Sequence, residues 1–162
     1  MVLWFCMVNH SRIEYDDCLK QGLLRKVIQS LEKARNGIAK ANKFLEQARK
    51  LFAIEAYDSS LLTCYQAIFL SAKSVLFKDG YREKSHACVT RYLEENYVKP
   101  GKLDIKWLEL LDRFRDMRHD DEYNVFFMAS KENCEEIIEF ADEFIAAMRK
   151  IIHGQNLAPS AR

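Results

Sequence analysis

Only two prolines and five glycines punctuate 162 residues, and nearly every window between them repeats its apolar side chains with a period near 3.6. Strand alternation is absent from that pattern. The chain is therefore read as all-α: an antiparallel bundle of about five helices, up and down around a four-helix core. At 49% hydrophobic content it can bury one core and little more, so one domain is expected, spanning residues 18–153 between an N-terminal extension (1–17) and a flexible tail (154–162).

The first long helix is read through Leu24, Val27, Ile28, Leu31, Ile38, Leu45, Ala48 and Phe52, with Gly37 softening its middle. A second starts after Tyr57-Asp58-Ser59, whose side chains suit an N-cap, and stops at Lys78-Asp79-Gly80 with a C′ glycine. It is apolar over a wide arc (Leu61, Tyr65, Ile68, Ala72, Val75, Leu76), which makes it the central helix. A third spans roughly Ser85 to Tyr97 before the breaker Lys99-Pro100-Gly101, a fourth runs from about Asp104 to Glu122, and a fifth begins near Ser130. The wide arc of the second helix is covered either by the first and fifth helices or by a second copy in a homodimer.

Twenty-five Lys and Arg against 24 Asp and Glu leave a formal charge of +1, so any polyanion site must be local. Five widely spaced cysteines (6, 18, 64, 88, 134) form no C-x-x-C pair, which argues against a zinc site and a disulfide framework. They are read as free buried thiols in a reducing cytoplasm. The apolar start, Met1 to Val8, is too short to span a bilayer and lacks signal-peptide features. It is read as an upstream translation start, with Met7 the natural one, or as a segment that packs on a neighbour, and the protein as soluble, with no membrane partner.

The local site is the end of the fourth helix. Trp107, Leu111 and Phe114 form an apolar stripe at about 100° per residue, and one more turn brings that stripe to Arg118, with Arg115 beside it and His119 at its edge. A core-facing stripe that turns cationic is a poor way to build a core and a good way to meet a phosphate. The plainer reading is a helix-end ion network in which Asp116, Asp120, Asp121 or Glu122 neutralises the arginines, helped by the helix dipole. His10, His86 and His153 sit in unremarkable contexts and are read as structural or solvated. No Gly-rich phosphate loop, H-E-x-x-H or G-x-S-x-G occurs, and no metal or cofactor is expected.

The helix order, with Ala56-Tyr57-Asp58-Ser59-Ser60-Leu61, Tyr65-Gln66-Ala67-Ile68-Phe69, Phe77-Lys78-Asp79-Gly80-Tyr81, Met117-Arg118-His119-Asp120-Asp121-Glu122-Tyr123 and the acidic last helix at Ala141 to Phe144, resembles the HEPN domain proteins of prokaryotes over about residues 18–153. The resemblance implies a helical bundle that dimerises around a cleft. It also implies an arginine and a histidine, about four to six residues apart, that in active members form a metal-independent endoribonuclease site. Many such proteins pair with a minimal nucleotidyltransferase encoded nearby, as toxin and antitoxin, and in some pairs that enzyme adenylylates a tyrosine after the motif histidine.

Carried over by residue, Arg113 and His119 fit with five intervening residues, and Tyr123 is the candidate modified tyrosine. On a straight helix Arg113 projects about 120° from His119. Either the helix distorts between Asp116 and Asp120, or Arg115 and Arg118 hold the phosphate instead, or this member is no longer a nuclease. As a nuclease, His119 would be base or acid, since imidazole titrates near neutral pH, and the arginines would clamp phosphate. As a non-catalytic partner, the chain would bind RNA or a nucleotide, with Tyr123 as acceptor and Asp120-Asp121-Glu122 helping to hold a magnesium-bound nucleotide in the transferase; packing of Tyr123 with Phe126 and Phe127 is the plainer role.

Overall fold

A computed structural model describes residues 13–154. The apolar start, Cys6, His10 and the tail from residue 155 lie outside the described residues. The order is α1 (Tyr15–Lys20), β1 (Leu24–Lys26), α2 (Leu31–Ala53), α3 (Tyr57–Asp79), β2 (Tyr81–Glu83), α4 (His86–Leu93), a π turn (Glu94–Val98), α5 (Lys106–Tyr123) and α6 (Lys131–Ile152). The architecture is an all-α bundle with one small antiparallel ribbon, in which Leu24 faces Glu83 and Lys26 faces Tyr81.

That ribbon corrects the first helix. Leu24 to Lys26 are strand, and α2 starts only at Leu31, where the Ser30 hydroxyl accepts the Lys33 N–H at 3.1 Å. Val27 and Ile28 sit between the two, and Ile28 is 91% exposed. Leu24, Val27 and Ile28 fit the helical period, but the chain here pairs with the segment that leaves α3. Gly80 makes that reversal possible, since its φ of 78° suits glycine and a Cβ there would lie 2.8 Å from the Val27 carbonyl oxygen.

Helix α3 is the centre of the bundle. Leu61, Cys64, Ala67, Ile68, Ala72, Val75 and Leu76 are all fully buried, against α2 on one side and α6 on the other. Its composition and length would let it cross a membrane, yet 61% of its most apolar window is buried inside the bundle. Its neighbours within the chain thus cover the wide arc. Gly37 does not soften α2, which runs unbroken. A Cβ at Gly37 would sit 2.1 Å from Ser74 Oγ, so glycine there lets α2 and α3 approach.

Asp58 does not cap α3, whose first turn has no side-chain cap; its Oδ1 instead accepts the Ala129 N–H at 2.7 Å. That bond ties the loop after α5 to the start of α3. Ser130 then opens α6 with a capping box shared with Asn133. At the far end of α3, Tyr92 and Tyr97 both donate to Asp79 Oδ2, at 3.0 and 2.6 Å, fixing α4 and the π turn.

The cysteines require a second correction. Cys18 and Cys88 form a disulfide that joins α1 to α4, while Cys64 and Cys134 are free and buried. The free-thiol expectation holds for the latter two only, and the cysteine pattern no longer argues for a reducing compartment.

Candidate functional site

The aromatic side of α5 fixes where its last turns lie. Phe114 is fully buried against Phe140 at 5.1 Å between ring centroids, and Trp107 packs on Phe140 and Phe144 at 5.9 and 6.0 Å. Anchored on α6 in this way, the helix carries Arg115 and Arg118 on to α3 and α4.

Helix α5 is continuous from Lys106 to Tyr123, with no distortion between Asp116 and Asp120. Arg113 therefore points away from His119. Its guanidinium forms two parallel bonds with the Glu136 carboxylate of α6, at 2.6 and 2.7 Å, on a half-exposed surface. Arg113 and His119 are not brought together.

Arg115 and Arg118 turn the other way. The Arg118 guanidinium lies over the Tyr65 ring, 5.5 Å from its centroid, and pairs with Glu122 one turn on. Arg115 pairs with Asp112 at 2.8 Å and with Asp116 at 3.2 Å. The same Asp112 receives Arg91 of α4 at 2.8 Å. Arg91 is 4% exposed and spans Asp112 and Glu94, so its desolvated charge is fully paired. The helix-end ion network read from the sequence is present, and Asp112 and Glu94, which the sequence did not single out, extend it to α4.

His86 and Tyr65 complete this face. The Tyr65 hydroxyl lies 3.2 Å from His86 Nδ1, and the imidazole stacks on Phe69 with 3.7 Å between centroids. Burial lowers the His86 pKa, and Arg118, Lys73 and Arg115 lower it further, against an opposing pull from Glu83. Burial also raises the Tyr65 phenol, although both arginines act in the other direction. No local sequence signal marks this group, because positions 65, 86, 91 and 118 lie on three separate elements.

His119 and Tyr123 sit at the outer end of α5. Both are exposed, their rings tilted together at 4.7 Å, and His119 has no hydrogen-bond partner among the described residues. Tyr123 is 69% exposed, as are Val125, Phe126 and Met128 beyond it at 88, 91 and 79%. Of the acidic run, Asp120 is exposed and unpaired among the described residues, Glu122 holds Arg118, and Asp121 faces Asp58. Among the described residues no three carboxylate, histidine or cysteine side chains gather into a metal-binding group.

What the arrangement offers is one arginine over a phenol with a second beside it, both partly buried, one half-buried imidazole next to them, and one exposed imidazole at the rim. Such a set suits a phosphodiester: guanidinium forks for the non-bridging oxygens and imidazoles for protons.

The HEPN domain matches residues 23–151. A Methanocaldococcus jannaschii protein named "Putative toxin MJ0142" is 24% identical over 120 residues, covering 74% of this chain and 82% of that protein. A "UPF0332 protein" of Archaeoglobus fulgidus is 27% identical over 116 residues, covering 72% of this chain and 92% of its own length. A second M. jannaschii protein, "Putative toxin MJ0605", is 27% identical over 132 residues, covering 82% of this chain and 96% of that one. With a family match over most of its length, this chain belongs to the HEPN domain family.

Proposed function

We propose that this HEPN protein is the toxin-like member of a toxin–antitoxin pair and cleaves single-stranded RNA without a metal ion, using Arg115, Arg118 and His119 rather than the Arg113–His119 spacing. The observation that carries this reading is the opposite orientation of the arginines on a continuous α5: Arg113 is committed to Glu136, while Arg118 lies over Tyr65 and Arg115, on the same side of the helix, is close enough for its charge to act on that phenol. Support for the toxin assignment comes from the names of two relatives.

In the reaction, the RNA 2′-oxygen attacks the adjacent phosphorus, the bond to the 5′-oxygen breaks, and a 2′,3′-cyclic phosphate and a 5′-hydroxyl result. Arg115 and Arg118 exchange their carboxylate partners for phosphate oxygens as charge accumulates there. His119, exposed at the rim, donates the proton that the leaving 5′-oxygen takes up. A homodimer closes the cleft, with the exposed Val125, Phe126 and Met128 beside the motif as its contact.

Cleavage of a mixed RNA pool in the presence of a chelator, with cyclic-phosphate ends found by mass spectrometry, is the expected result. His119→Ala is expected to slow it by roughly 100-fold or more. Intact RNA with wild-type protein under all conditions would refute the nuclease reading.

The exposure of Tyr123 favours a second reading, in which a minimal nucleotidyltransferase adenylylates its phenol. A mass gain of one adenylate on co-expression with such an enzyme, lost in Tyr123→Phe, is then expected. Its absence would remove this reading and leave the nuclease untouched.

A further inference from the structure

The cleavage proposed above needs a group to accept the 2′-hydroxyl proton, and His119 does not meet the requirements of that group well. An efficient base is a positioned side chain, held in one orientation within hydrogen-bond reach of the proton it takes. His119 is exposed and lacks a hydrogen-bond partner among the described residues. His86 is held by two neighbours and is partly withdrawn from solvent.

Its ring is fixed from two sides, by the Tyr65 hydroxyl at 3.2 Å and by the Phe69 face at 3.7 Å, and it is partly withdrawn from solvent. Tyr65 in turn lies under the Arg118 guanidinium. Imidazole, phenol and guanidinium thus form one continuous stack that links α4, α3 and α5. Building on the nuclease reading, we propose that His86 is the proton acceptor at this site, held by Tyr65, and that its substrate is the 2′-hydroxyl of a single-stranded RNA whose phosphate lies on Arg115 and Arg118.

The protonation state agrees with this role. Around the ring lie Arg115 and Arg118 of α5, Lys73 of α3, and Glu83 of β2, the carboxylate of which is bound by Lys73 at 2.7 Å. Burial is the main cause of the lowered pKa, and Arg118, Lys73 and Arg115, although each is ion-paired, add to it against Glu83, so the imidazole stays neutral in neutral solution. When its Nδ1–H donates to the Tyr65 oxygen, the lone pair on Nε2 is left to take a proton. In the step itself the 2′-proton moves to His86 Nε2, the O2′–P bond forms, the P–O5′ bond breaks, and the 5′-oxygen is protonated by His119. His86 then returns its proton to water. One chain supplies both proton-transfer groups, so the second copy closes the cleft without adding a histidine to the chemistry.

The test uses the full chain and a short single-stranded RNA carrying 2′-O-methyl groups, which binds but cannot be cleaved. In NMR titrations of the histidine side chains, His86 is expected to have a pKa below 6.5 and to shift upward when this RNA is added, because the phosphate is an anion close to the ring. An unmoved His86 would overturn the proposal whether or not the protein cleaves RNA.

On cleavable RNA, His86→Gln is expected to lower the rate by about 100-fold or more and abolish the acid limb of the pH–rate profile, while affinity for the 2′-O-methyl RNA at about pH 8, where the imidazole is neutral, changes far less than the rate. Retention of rate and acid limb by that variant would equally overturn it. Should wild-type protein cleave no RNA, the nuclease reading fails, while the NMR shift still decides whether His86 borders an RNA phosphate.

Discussion

Single side chains in this protein often serve two partners, and the second is rarely visible in the sequence. Asp58 stands where an N-cap is expected but binds the Ala129 N–H and faces Asp121. Burial, then the bond and charge of Asp58 and the charge of Glu122, push the Asp121 pKa up to about 7, so Asp121 is partly protonated in neutral solution. Because the folded value lies above the ordinary 3.8, the linked stability is complete below the ordinary value and is lost as pH rises through about 7. Asp121→Asn, neutral at every pH, is therefore expected to melt above wild type at about pH 8 and to approach it near pH 5. A melting difference between the two proteins that does not change across that range would contradict the raised value of Asp121. The same limit on legibility applies to His86. Its neighbours in sequence say nothing of Tyr65, 21 positions away, or of Arg118.

Elements were more legible than residues where local chemistry sets their ends. Ser130 and Gly80 mark boundaries through a capping box and a left-handed φ, both short-range effects readable in sequence. The ribbon was not legible, because Leu24 to Lys26 become strand only through pairing with a segment 57 positions on. The disulfide was hidden for the same reason, with 70 positions between Cys18 and Cys88. It ties α1 to α4 two residues beyond His86, and closing a loop of that length stabilises the fold by roughly 4 kcal/mol on the chain-entropy account. Reduction is expected to lower the urea midpoint, Cys88→Ser to lower it by a similar amount, and reduction of Cys88→Ser to add nothing. An unchanged midpoint on reduction would show that α4 holds its place without the link.

For the whole molecule, periodicity sufficed to give an all-α bundle with a central α3, because its buried face and those of α2 and α6 are written in their own spacing. The cationic end of α5 was legible too, but the direction in which each arginine turns was not. Whether Arg113 or the Arg115 and Arg118 pair faces the site depends on α6 supplying Glu136 and on α3 supplying Tyr65. The central claim is that RNA is held by the pair. Fluorescence anisotropy of a labelled single-stranded RNA tests it most directly, with Arg115→Ala/Arg118→Ala compared with Arg113→Ala. Loss of binding by at least about 10-fold in the double variant, with Arg113→Ala close to wild type, is the result this account predicts; the reverse order, with Arg113→Ala losing RNA and the double variant retaining it, would contradict it.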